Sequence, residues 1–259
     1  MSRNGTVATG REPDTDSLVS VIVCNYNHGR YVERAIESLA EQTHGRIELR
    51  LIDDASTDAS PPVMSRLAER FRTRFVSVDI NFRGDNAGKL ACMNMSLPGV
   101  RGDLVLVLDA DDLLRPSFLK ESIEALGENR RRDLSVAFVY SDCELIDSNG
   151  RILGIGRSQP WDPDLLEQSS YIPGCALTLA EALRSGAPFD ESVRIGTKHH
   201  TWLRLKRAGW RGLHLPHPLF SYRLHPNNNS GIGARLLPEL NGSRQSERLL
   251  GRDWPTARV

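Results

Sequence analysis

Leu104-Val105-Leu106-Val107-Leu108 is an unbroken apolar run, and it ends abruptly in Asp109-Ala110-Asp111-Asp112. Apolar residues without polar alternation read as a strand buried on both faces. Such a strand belongs to a sheet covered by helices, and open sheets of that kind place their ligands at the carboxyl edge of the strands. Carboxylates at that edge are hard oxygen ligands suited to Mg²⁺ or Mn²⁺, ions that usually hold substrate phosphates. The same acids could instead form an acidic loop capping the helix that begins near Pro116.

The segments before the acids supply the rest of a nucleotide-binding half. Leu18-Val19-Ser20-Val21-Ile22-Val23-Cys24 is β-branched and short, a first buried strand. The turn formers Asn25-Tyr26-Asn27-His28-Gly29 break it. Tyr31, Ala35, Ile36 and Leu39 then recur at helical spacing. Residues 47–52 form a second strand ending in Asp53-Asp54, and Ser56-Thr57-Asp58 opens a turn or a helix faced by Val63, Leu67 and Phe71. A short third strand over 74–78, a polar loop over 81–88 and a helix over 89–97 lead to the central strand.

After the acids, the pattern predicts a helix over about 116–126 and a strand over 133–140. A hairpin over 143–155 turns at Ser148-Asn149-Gly150. Strands alternating with helices imply an α/β fold with a mostly parallel sheet and helices on both faces. Beyond Gly156 prolines interrupt the pattern. Helices are expected over 177–184 and 198–208, short strands over 213–215 and 219–224, and a short helix around Leu236.

Composition removes several function classes. Lysine plus arginine and aspartate plus glutamate both number 33, so the net charge is zero and no basic excess points to nucleic acid. No apolar run approaches the roughly 18 residues of a membrane span. The 4 cysteines, Cys24, Cys92, Cys143 and Cys175, form no C-x-x-C pair, which argues for packing or buried thiols in a reducing, cytoplasmic setting. Residues 1–16 read as a disordered leader, 17–230 as the folded domain, and 231–259 as a mobile tail.

Several segments together resemble the family 2 nucleotide-sugar glycosyltransferases of the GT-A fold. They are residues 21–27, 35–43 and 51–58, Asn86-Ala87-Gly88 with Asn94, Gly102-Asp103, residues 109–112, Phe189-Asp190-Glu191, Trp202-Leu203-Arg204-Leu205 and Tyr222-Arg223-Leu224-His225. They follow the family's order. The resemblance implies a nucleotide-binding half over 17–115 and an acceptor-side half over 116–230. It implies a nucleoside-diphosphate sugar donor, a uridine one by preference, with Tyr26 against the nucleotide and Asp54 accepting from the uracil N3–H. Lys89 would pair with phosphate and Asp109 would touch the ribose. Asp111, with Asp112, would hold Mn²⁺ or Mg²⁺. Arg223 and His225 resemble the family's Arg-x-His that closes over the diphosphate, with His225 a candidate for the metal shell. The implied activity is metal-dependent sugar transfer to an unknown acceptor, with inversion as the family default. With no membrane span, a lipid-linked acceptor would be reached only from the membrane surface or through a partner.

One expected feature is missing. Inverting members carry an acidic general base just before the Trp-x-x-Arg helix, and that place falls on Thr197-Lys198. His199 and His200 follow directly, and an imidazole has a suitable pKa for the task. These two are therefore the candidate catalytic residues, with Asp190 or Glu191 as other carriers of the role. Two alternatives stay open: an acceptor that is already ionised, or a protein that binds a nucleotide sugar without transferring it. A nucleotidyltransferase is the less suitable reading, because residues 25–29 are not a Gly-rich triphosphate loop.

Overall fold

The structure is a computed structural model that describes residues 12–185, 188–225 and 228, and the backbone of 237–240. Its centre is β1 (Val19–Asn25), flanked in parallel by β2 (Ile47–Asp53) and β4 (Leu104–Asp109), with β3 (Ser77–Phe82) beyond β2. The pairing runs Val19↔Ile47 and Val19↔Leu104, so β1, β2 and β4 finish together at Asn25, Asp53 and Asp109. All three strands are buried almost throughout, as expected for a parallel sheet covered on both faces. The helices α1 (Val32–Ala40), α2 (Ser60–Arg70) and α3 (Lys89–Ser96) make the crossovers.

The second half joins the same sheet. β5 (Leu113–Leu114) leads into α4 (Phe118–Arg130), and β6 (Val136–Ile146) follows, buried along its whole length. β6 turns at the Asn149-Gly150 hairpin into β7 (Ile152–Arg157), and α5 (Pro163–Gln168) follows. Next comes β8 (Ala176–Leu179), which lies antiparallel between β4 and β6 and so stitches the halves together. After α6 (Ala180–Arg184) and α7 (Thr197–Arg207), β9 (Arg211–Arg223) runs parallel to β6 and crosses over to pair with β5.

Four local expectations are revised. The third strand begins at Ser77, because Arg74 turns its guanidinium onto the carbonyls of Ala40, Gln42 and His44. The expected helix over 177–184 is divided between β8 and α6. The two short strands after α7 are one strand, with Pro216 and His217 accommodated where the pairing jumps from Ser141↔Leu215 to Asp142↔Pro218. Residues 237–240 form a strand, β10 (Leu237–Leu240), antiparallel to β7, where a short helix was expected. Residues 1–11, and 231–259 apart from β10, lie outside the described residues. Among the described residues, no helix is long and apolar enough to cross a membrane.

Candidate functional site

A cleft of about 530 Å³ opens at the common carboxyl edge of β1, β2 and β4. Its floor is Asn25 and Asp109, the last residues of two parallel strands. Tyr26 and His28 come from the loop after β1, Asp54 from the end of β2, and Lys89 from the start of α3. The first residues of α7 form the opposite wall.

Asp54 is 3 % exposed and binds backbone. Its Oδ1 accepts the N–H of Ala87 at 3.0 Å and faces Arg83 Nε at 3.1 Å; its Oδ2 accepts the N–H of Gly88 at 2.7 Å. Those bonds fix the loop that starts α3, where Gly88 takes φ +88°, a conformation that side-chain-bearing residues avoid. Asp53 serves the turn after β2, accepting from Asn25 Nδ2 at 2.8 Å and from the Ser56 N–H at 2.9 Å. Tyr26 is 43 % exposed at the mouth, its ring open to a ligand.

Asp109 is ion-paired with Lys89, which occupies the cation expected to meet phosphate. Burial raises the Asp109 carboxyl, but the ammonium groups of Lys89 and Lys198 outweigh it and hold the carboxyl below the ordinary range. Asp112 goes the other way. Burial, and then the charges of Asp111 and Asp109, push its carboxyl well above the usual value. Its Oδ1 accepts the N–H of Arg223 at 3.0 Å. Asp111 is 8 % exposed, with Oδ2 at 2.9 Å from His225 Nε2. The loop carrying these acids is anchored behind the site. Ser38 Oγ accepts the Leu114 N–H, and Gln42 bridges the Arg115 carbonyl and the Leu119 N–H.

One oxygen from each of Asp109, Asp111 and Asp112 lies within 4.8 Å of the others, and so do ligand atoms of His28, Asp111 and His225. Crowded, buried carboxylates beside imidazoles make a donor set that a divalent cation would neutralise, so these residues fit the implied ion. Arg223 does not stand over the cleft as expected. It is 4 % exposed, with Nε on the Asp111 carbonyl at 2.8 Å and a terminal nitrogen on the Asp147 carbonyl at 3.0 Å, and it lies over the Tyr31 ring. Burial is satisfied there by carbonyls, so Arg223 fixes the Asp111–Asp112 loop.

His199 and His200 are also displaced from their expected place. Gly196, at φ +72°, ends the preceding loop, and α7 starts with Thr197 and Lys198 facing the cleft. Each helical residue turns about 100° from the last. His199 is therefore carried toward Glu167 and His200 toward Phe189, with ring centroids 6.4 Å apart. Burial lowers both imidazoles from their ordinary pKa. Neither lines the cleft. Asp190 holds Ser192, Glu191 accepts from Asn94 Nδ2 at 3.0 Å, and neither lines the cleft. Lys198 does, with Nζ 4.5 Å from the Tyr222 ring centre. Residues that the sequence did not single out as site residues are His28, Tyr31, Arg194 and Asn228. His28 was readable in principle, since it follows β1 at the same sheet edge as Asp109.

The fold recurs in solved glycosyltransferases of the GT-A type. Staphylococcus aureus TarS, residues 1–349, in complex with UDP-GlcNAc superposes with a TM-score of 0.62 at 19 % identity, over 82 % of this chain and 60 % of that one. The mannosyltransferase PcManGT of Pyrobaculum calidifontis, in complex with GDP-Man and Mn²⁺, gives 0.61 at 20 % identity over 84 % of this chain and 60 % of that one. The chondroitin synthase of Escherichia coli is 28 % identical over 215 residues, 82 % of this chain and 30 % of the synthase. Two other curated relatives are covered by the chain over 41 % and 81 % of their lengths. The model of the glycosyl transferase family 2 matches residues 20–186, more than half of the sequence, and the protein belongs to that family.

Proposed function

We propose that the protein transfers a sugar from a nucleoside diphosphate, UDP by preference, to an acceptor, with inversion and with a divalent ion at Asp111. The observation that carries this reading is the convergence of Asp54, Asp109 and Asp111 at one sheet edge around a single cleft. Tyr26 and Asp54 would hold the base, and Asp109 the ribose. Departure of the nucleoside diphosphate leaves negative charge on its phosphate, and a divalent ion supplies Lewis-acid stabilisation there. The complexes of TarS with UDP-GlcNAc and of PcManGT with GDP-Man and Mn²⁺ support a nucleotide-sugar donor and a metal.

The acceptor wall favours one of the alternatives left open by the sequence. The side chains that α7 turns into the cleft are a hydroxyl and an ammonium, and neither takes a proton at neutral pH. An acceptor that attacks as an anion needs no base, and Lys198 would steady its charge. The second reading, donor binding without transfer, rests on the same absent base.

The test is UDP binding by calorimetry with and without Mn²⁺, followed by donor turnover. Asp111→Ala should abolish the Mn²⁺ dependence and lower turnover at least a hundredfold. Intact binding without turnover on any neutral or anionic acceptor would select the non-catalytic reading. No binding of UDP or GDP, with or without Mn²⁺, would overturn both.

A further inference from the structure

Asp111 belongs to two possible ligand sets, one completed by Asp109 and Asp112, the other by His28 and His225. The members differ in what else they do. Asp109 is ion-paired with Lys89, and Asp112 holds the backbone of β9 through the Arg223 N–H. The imidazole of His28 makes no hydrogen bond among the described residues. It meets the His225 ring edge-on at 5.4 Å and lies 6.3 Å from the Tyr31 ring.

Both histidines are aimed by their surroundings. His225 is buried, 3 % exposed, and rests 5.0 Å from Tyr31, whose ring lies under Arg223. The His28 carbonyl accepts the N–H groups of Tyr31 and Val32, so its backbone is fixed at the start of α1. The next residue, Gly29, donates its N–H to Asp58 at 2.9 Å. A Cβ on Gly29 would lie 2.9 Å from the Ser60 nitrogen, so the loop is pressed against the start of α2. The backbone position of His28 is thus a property of the fold. The ligand atoms of His28, Asp111 and His225 all lie within 4.8 Å of one another, with His225 Nε2 2.9 Å from Asp111 Oδ2, so all three could reach one ion.

We propose that His28 is a ligand of the divalent ion, which is then held by imidazole, carboxylate and imidazole from His28, Asp111 and His225. The proposal rests on the reading that the cleft binds a divalent ion. Its consequence is selectivity. Mg²⁺ keeps oxygen ligands and gives up water reluctantly, whereas nitrogen ligands favour the later first-row ions. The site should rank Co²⁺ above Mn²⁺ and both well above Mg²⁺. Asp109 and Asp112 keep their places as the partners of Lys89 and β9.

The experiment is Mn²⁺ binding to the full chain, with UDP present and absent, followed by electron paramagnetic resonance. Spin-echo modulation is recorded with ordinary and with heavy-nitrogen histidine. The wild type should show two imidazole nitrogens on Mn²⁺ and His28→Ala one. The variant's Mn²⁺ affinity should fall roughly tenfold or more, and its preference for Co²⁺ over Mg²⁺ should shrink. A single imidazole in the wild type, or unchanged affinity and modulation in His28→Ala, overturns the proposal. Should His28→Ala not fold, as judged by circular dichroism, the count of imidazoles in the wild type decides alone. Failure of the wild type to bind Mn²⁺ under either condition would defeat the metal reading beneath it, which is a distinct result.

Discussion

Asp54 uses both carboxylate oxygens on the backbone of the loop that begins α3, so it shapes the pocket as well as lining it. Asp54→Ala leaves the N–H groups of Ala87 and Gly88 without their acceptor. Such a loss costs about 1–3 kcal/mol. It should appear as a lower denaturant midpoint without ligand, and UDP affinity should fall at least tenfold. A variant that lost UDP affinity at unchanged stability would mean that Asp54 acts on the nucleotide alone. The start of α7 makes a second residue-scale prediction. A general base contributes a hundredfold or more, so His199→Ala and His200→Ala should each keep transfer within tenfold of wild type; Lys198→Ala should lower it beyond tenfold by removing the charge that steadies the acceptor. A larger loss in either histidine variant would restore the histidine base. Counting back from Trp202 reached Thr197-Lys198, the residues of α7 that line the cleft, whereas which way His199 and His200 point depends on where the helix starts after Gly196 and could not be read from the sequence.

At the scale of elements, β1 and β4 were legible because each is a short, nearly continuous apolar run closed by turn formers or acids, and β2 because its apolar residues close on Asp53-Asp54. β8 was not. Ala176–Leu179 continues into Ala180-Glu181-Ala182-Leu183, a helix-forming composition, yet β4 and β6 take its backbone hydrogen bonds on either side. β9 hid behind Pro216 and Pro218, which read as breaks and are housed at a register jump. Asp142, 1 % exposed on β6, secures that irregular region. Its carboxylate accepts the Ser158 N–H at 2.9 Å, pairs with Arg157 at 3.2 Å and meets His214 Nε2 at 2.8 Å. Burial raises the Asp142 carboxyl, but these partners more than reverse it and hold the group below the usual range. A depressed carboxyl contributes stability that is complete above its unfolded pKa of about 3.9 and is lost as pH falls through the folded value. Asp142→Asn should lower stability at neutral pH by about 1–3 kcal/mol. Acid titration of the unfolding midpoint should then fall less steeply below pH about 4 than in wild type. Parallel curves would show that Asp142 carries no pH-linked stability.

For the whole molecule, the question is whether the half before the Asp109–Asp112 loop and the half after it unfold as one. Their apolar residues form one continuous core, reaching from Val19 through Leu106 and Leu177 to Phe220. β8 bonds to both halves, and the Asp111–Asp112 loop is tied to the end of β9 by Arg223 and His225. The tryptophans give this a test, because Trp161, Trp202 and Trp210 all lie after residue 116, whereas Tyr26, Asp54 and Asp109 lie before it; the fourth, Trp254, lies outside the described residues. Ligand that binds only the folded state stabilises it by about 2.7 kcal/mol at a hundred times its dissociation constant. For a chain of this size that is a rise in melting temperature of roughly 5–10 °C. UDP with Mn²⁺ should therefore raise the midpoint seen by tryptophan emission as much as the midpoint seen by circular dichroism. Arg223→Ala removes the clamp on the Asp111–Asp112 loop and should reduce that rise in both signals. Two separate transitions, with only the one silent in tryptophan moving on ligand, would show that the shared sheet does not couple the halves and that the cleft is assembled from independently stable parts.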